Sequence, residues 1–136
     1  MNTRDVMRLL VLGLIIWALG TVYYAYTGPL IFETTAIRYW ISFFLSPVIS
    51  GAICVAVLRR LRVPAANWAS AMLLLAIPGM IGEAIVLINW STFMPRLHTA
   101  SAGKYAAFLF VTYAVVLSLA VLINLKTALT ERYSQP

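Results

Sequence analysis

Four stretches of the chain carry almost no charged side chains, and each is long enough to cross a bilayer as one helix, which takes about 20 apolar residues. They are 6–26, 37–58, 69–90 and 105–126. Their Leu, Ile, Val and Ala residues run on continuously rather than alternating in short blocks. The pattern therefore predicts helices and not a β-barrel. What remains suffices for two tails and three short connections. Short connections make successive helices antiparallel neighbours, so the expected architecture is all-α: an integral-membrane four-helix up-down antiparallel bundle spanning 1–136 as one transmembrane domain.

The first stretch invites comparison with a secretory signal, because Arg4 and Arg8 precede its apolar run. The run is longer than a signal core of about 7–15 residues and ends in Tyr23, Tyr24 and Tyr26, which read as an interfacial anchor. It is expected to be retained as a helix. The loop Thr27–Ile37 carries Gly28-Pro29 and Glu33, the loop 59–68 carries Pro64, and the loop 91–104 carries Pro95 and His98.

Composition agrees with this reading: 62% of residues are hydrophobic and 10% charged, and the mean hydropathy is +0.92. Soluble domains are about 25% charged. A water-soluble globule, a disordered tail and a nucleic-acid module are excluded, although the net charge is +6. The cations instead predict orientation. With the N-terminus cytoplasmic, the inner side holds Arg4, Arg8, Arg59, Arg60, Arg62, Lys126 and Arg132, and the outer side holds only Arg38, Arg96 and Lys104. That bias places both termini in the cytoplasm of a bacterial cell (inner) membrane protein. Tyr23, Tyr24, Tyr26, Tyr39, Trp40, Trp90 and Tyr105 then form an outer aromatic belt, and Trp68 marks the inner interface. Arg59, Arg60 and Arg62 face anionic lipid head groups, first as a topology signal.

One residue breaks the apolar pattern. Glu83 is the only ionisable acid or base within the apolar interior of any span, where a charge costs roughly 2.5–3.5 kcal/mol or more. It lies roughly 5 Å from the midpoint of 69–90 toward the outer side, too deep to reach the head groups easily, so it is expected to point into the bundle, into water or into another protomer. Pro78 one turn earlier withholds a helical hydrogen bond and predicts a kink at Pro78-Gly79. Met72, Ala76, Gly79 and Glu83 share one face, whose small residues allow a close helix approach.

Depth selects the candidates around this acid. Ser42 and Ser46 bracket its height on the second span, within a stripe continued by Ser50 and Cys54. Thr112 and Tyr113 match it on the fourth, and Gly20 and Thr21, with Trp17 just below, on the first. Each has a plain alternative: serines in spans bond their own helix, small faces simply pack, and Tyr113 serves as a packing aromatic. No cation within the membrane is available to pair with Glu83. A carboxyl able to gain and lose a proton there suits proton-coupled carriage of a small cation; held neutral, it would only tie helices together.

Other chemistry is not indicated. His98 stands alone in a loop, so no metal site is expected. The spans supply no haem ligands, and no nucleophile–base set or phosphate loop can be assembled, so neither a cofactor nor enzyme activity is expected. Cys54 has no cysteine partner in the chain.

In size and helix count the chain resembles the small multidrug resistance exporters, whose essential acid, however, lies in the first helix. A closer likeness rests on Pro78-Gly79-Met80, Glu83 and Phe93-Met94-Pro95. In these it resembles an uncharacterised bacterial family of four-helix membrane proteins, although Arg96 follows where asparagine would be expected. That resemblance implies a fold and a membrane, with no mechanism. Three readings follow: a proton-coupled small-molecule or ion transporter, acting as a parallel homo-oligomer; a non-catalytic scaffold or partner subunit; and a lipid-binding protein using Arg59–Arg62. The substrate is unknown.

Overall fold

The computed structural model describes residues 1–133, and among them every regular element is helical. Four helices are long and apolar enough to cross a membrane. They are α1 (Thr3–Phe32), α2 (Ala36–Arg60), α3 (Trp68–Ile88) and α5 (Ala102–Tyr133), and a single turn, α4 (Trp90–Phe93), follows α3. Short 3₁₀ turns at Ala65–Asn67 and Thr99–Ser101 lead into α3 and α5. The protein is an all-α, four-helix membrane protein.

Helix ends differ from the expected spans for identifiable reasons. α1 starts early because Asn2 and Asp5 form a reciprocal capping box, the Asp5 N–H donating to Asn2 Oδ1 at 3.0 Å. It also runs past residue 26, through the expected Gly28-Pro29 turn. Pro29 withholds only one donor, close to the helix end. Gly28 is buried against Leu97, where a Cβ would come within 2.6 Å of the leucine Cδ1. Helix packing thus overrules a turn signal. At the other end of α2, the Arg62 N–H donates to Arg59 O and the Val63 N–H to Leu58 O, with Arg62 at φ 52°. This is a Schellman cap built on an arginine, where glycine is usual. Arg59 and Arg60 are therefore exposed residues of the last helical turn, and Arg62 is the cap itself.

The helices do not follow sequence order around the bundle. The most extensive contact is that of α1 with α3, followed by α3 with α5 and α5 with α2, while the α1–α2 seam is slight. Neighbouring residues give the directions. Gly13 meets Leu75 and Trp17 meets Gly79 and Gly82, so α1 and α3 run parallel. Tyr39 meets Lys104 and Gly51 meets Leu119, so α2 and α5 also run parallel. Glu83 meets Tyr105 and Gly79 meets Tyr113, so α3 and α5 are antiparallel. The expectation that successive helices are the main neighbours therefore fails for α1–α2 and for α2–α3, and holds for α3–α5. Glycine explains the α1–α3 pairing: Gly13 and Gly82 leave no room for a Cβ beside Leu75 and Trp17, so the two helices approach closely there.

Two apolar clusters form the core. One gathers Leu9, Leu58, Trp68, Met72, Leu75 and Val116 near the chain termini. The other gathers Phe32, Val86, Trp90, Met94, Tyr105 and Phe108 at the opposite end. The aromatic belt consequently splits. Tyr23, Tyr26 and Trp40 are exposed, whereas Trp90 and Tyr105 are buried, their ring centroids 5.4 Å apart. Trp68 is buried too, its indole N–H donating to Val63 O at 2.9 Å. Burying an indole beside a carbonyl acceptor satisfies its one donor and removes a large apolar area from the surface.

Candidate functional site

Between the two clusters lies a cavity of about 140 Å³, and Glu83 is part of its wall. Glu83 is only 8% exposed. The α3 helix continues unbroken through Pro78, carrying the acid on the same buried face as Met72, Ala76 and Gly79. Its Oε2 accepts a hydrogen bond from the Tyr105 hydroxyl at 3.0 Å. Among the described residues no Lys, Arg or His side chain lines the cavity. A buried carboxyl with one neutral donor and no counter-charge is an expensive feature, which makes it the candidate site of the bundle.

The sequence-derived candidates fall into three groups. Trp17, Ser46, Gly79, Thr112 and Tyr113 line the cavity together with Glu83. The Thr112 hydroxyl donates to Phe108 O at 2.9 Å and lies 3.4 Å from Ser46 Oγ, joining α5 to α2. Tyr113 lays its hydroxyl against Gly79, and Trp17 lays its indole against Gly82; a Cβ would collide with the hydroxyl at Gly79 and with the ring at Gly82. Ser42 does not reach the cavity. It lies one helical turn further along α2, in an open groove between α1 and α2. Pro78 stands outside the cavity wall as part of the helix that presents the acid. Arg59, Arg60 and Arg62 are remote from it, at the terminal end of the bundle.

Tyr105, the direct partner of Glu83, was expected in the outer belt and is instead fully buried. Tyr24 and Phe108 are the other aromatic rings of the wall, 5.3 Å apart and edge to face. The periodicity of α5 gave no warning, because that helix is apolar on all sides. The serine stripe did carry a signal: Ser50 and Cys54 continue it along the same wall. Two polar atoms inside the bundle, Trp17 Nε1 and Thr21 Oγ1, have no hydrogen-bond partner among the described residues.

A second polar cluster closes the end opposite the chain termini. Glu33 Oε1 accepts from the His98 N–H at 2.6 Å and from the Ser101 hydroxyl at 2.7 Å. Partial desolvation pushes the Glu33 pKa up. The two hydrogen bonds and the neighbouring His98 and Lys104 outweigh it and hold the carboxyl below the usual range. Glu33, read from the sequence only as a loop acid, is thus a clasp between the α1–α2 turn and the start of α5.

No curated protein and no solved structure matches the chain. A match to a family of unknown function, DUF5367, extends over residues 31–127, taking in α2, α3, Glu83, the clasp residues and most of α5. The match covers well over half of the sequence, and the chain belongs to this family of unknown function.

Proposed function

We propose that the protein is a small proton-coupled transporter of a small molecule or ion, with Glu83 as its proton or ion site and no catalytic activity of its own. The single observation that carries this reading is a carboxyl 8% exposed in a cavity without a cation in its wall. Intramembrane acids are expensive and usually serve an ion or proton path. The proposed setting is a bacterial inner membrane with both termini cytoplasmic, supported by the seven-to-three cation bias between the two faces. Four helices enclose little volume, so we propose a parallel homo-oligomer. Labelling single cysteines in a Cys54-free background should then modify each loop from one face of the membrane. Equal modification of one loop from both faces would refute the fixed orientation.

The deciding experiment uses protein in liposomes under an imposed pH gradient. Internal pyranine reports proton movement, and a panel of monovalent inorganic and organic cations is added outside. Wild type should couple proton efflux to cation uptake, and Glu83→Gln should reduce the coupled flux at least tenfold. The Tyr105 hydrogen bond favours a second reading, in which the carboxyl only joins α3 to α5 and the chain is a non-catalytic scaffold or partner subunit. No coupled flux with any cation, and no difference between wild type and Glu83→Gln, would select it.

A further inference from the structure

The cavity wall combines one carboxyl with the rings of Trp17, Tyr24, Phe108 and Tyr113. A small inorganic divalent ion would need about six oxygen ligands. This wall offers a single carboxylate, its other oxygens being neutral hydroxyls, and sets it among π faces. Aromatic faces beside a carboxylate are instead the setting that recognises an organic ammonium, through cation–π attraction and an N–H···O hydrogen bond. Size narrows the class further. A cavity of about 150 Å³ accepts a molecule as large as benzene, and this one measures about 140 Å³.

A route to it is also present. The slight α1–α2 seam leaves a groove of about 510 Å³ along the lipid-facing side of the bundle. Ile16, Gly20, Tyr24, Ser46 and Ser50 line both the groove and the cavity, so the two adjoin across these side chains. Leu19, Leu45 and Ile49 on the groove are at least half exposed, as residues facing acyl chains are. Gly20 stands at the junction, and a Cβ there would meet no atom within 4 Å.

We infer that the cavity binds a monovalent organic ammonium of about one ring in size, admitted from the bilayer through the α1–α2 groove, its N–H donating to Glu83. This names the cargo class for the proposed transporter and so rests on that reading, but binding alone tests it. At the carboxyl the exchange is balanced: the neutral acid releases one proton as the carboxylate receives one ammonium.

The probe is radiolabelled benzylammonium, with benzyl alcohol as its neutral counterpart, on protein in nanodiscs of phosphatidylcholine and phosphatidylglycerol. Saturable binding of one benzylammonium per chain, at least tenfold tighter than the alcohol and releasing one proton, is the expected result. Glu83→Gln should abolish the preference for the cation. Gly20→Leu, which improves helix propensity and fills open space, should slow association at least tenfold with an unchanged circular dichroism spectrum. Gly103→Leu, at a position equally open but distant from the groove, should not. Equal affinity for cation and alcohol, or binding untouched by Glu83→Gln, would overturn the ammonium assignment, and an unchanged rate in Gly20→Leu would overturn the route. Coupled proton flux without benzylammonium binding leaves the transporter standing and removes this cargo. Binding without flux does the reverse.

Discussion

Glu83 and Tyr105 are the residues on which the site turns. Their hydrogen bond joins α3 to α5 across 22 positions in sequence. Tyr105→Phe keeps the ring against Trp90 and Phe32 and removes only the donor, so stability should fall by about 1–2 kcal/mol. Glu83→Gln retains a side-chain acceptor for the tyrosine and should cost less. In the double variant the loss should be no greater than in Tyr105→Phe alone. Reversible unfolding in mixed micelles gives all three values, and a Tyr105→Phe protein as stable as wild type would show that the bond contributes nothing. Glu83 was legible in the sequence because an acid within an apolar run has no other explanation than a buried partner or path. Tyr105 was not. At the edge of an expected span, a tyrosine reads equally as an interfacial anchor, and nothing in α5 says how the helix is rotated.

At the scale of elements, the α1–α3 contact depends on glycine. The three close positions differ in what a methyl group would strike. At Gly13 it meets the backbone carbonyl of Leu75, at Gly82 the middle of the Trp17 indole, and at Gly79 only the hydroxyl of Tyr113, the ring carbon behind it being 3.5 Å away. Gly13→Ala and Gly82→Ala should therefore force the helices apart and cost several kcal/mol, about 2–4 by analogy with overpacked cores. Gly79→Ala should cost less and be rescued by Tyr113→Phe, which restores an ordinary contact distance. Gly20→Ala should be neutral or stabilising by up to about 1 kcal/mol. Thermal unfolding of the five variants orders these effects, and a Gly79→Ala protein not improved by Tyr113→Phe would refute the assigned contact. The small-residue face of α3 was readable from the spacing of Ala76, Gly79 and Glu83. The length of α1 was not, since Gly28-Pro29 is a turn signal unless a leucine from a distant loop needs the glycine.

For the whole molecule, the Glu33 clasp is the clearest source of pH dependence outside the membrane. Its carboxyl titrates lower in the folded protein than the ordinary value of 4.5. The stabilisation it gives is therefore complete above about pH 4.5 and is lost as the pH falls through the lower folded value. The group is largely open to solvent, so the effect is modest and should weaken with salt. Protection of the His98 amide against hydrogen exchange, relative to its intrinsic rate, should fall below that pH in wild type and show no such step in Glu33→Gln. A step of equal size in both proteins would assign it to another acid. The clasp ties the α1–α2 turn to the start of α5, helping to hold a bundle whose α1–α2 seam is slight.

Hydropathy alone determined the class of this protein, the number of its membrane-crossing helices and the singular position of Glu83. The energy of placing residues in lipid depends on their identity and depth, both of which one chain displays directly. Which helix lies beside which, and which residue touches the acid, depend on interhelical fit. Lipid is as apolar as leucine, so hydrophobicity does not choose among helix pairs; close approach at glycine and satisfaction of buried polar groups do. Those terms exist only once Gly13, Gly79 and Gly82 meet Leu75, Tyr113 and Trp17. Only the tertiary structure could therefore decide that α1 joins α3, that Tyr105 turns inward, and that the α1–α2 side is left open.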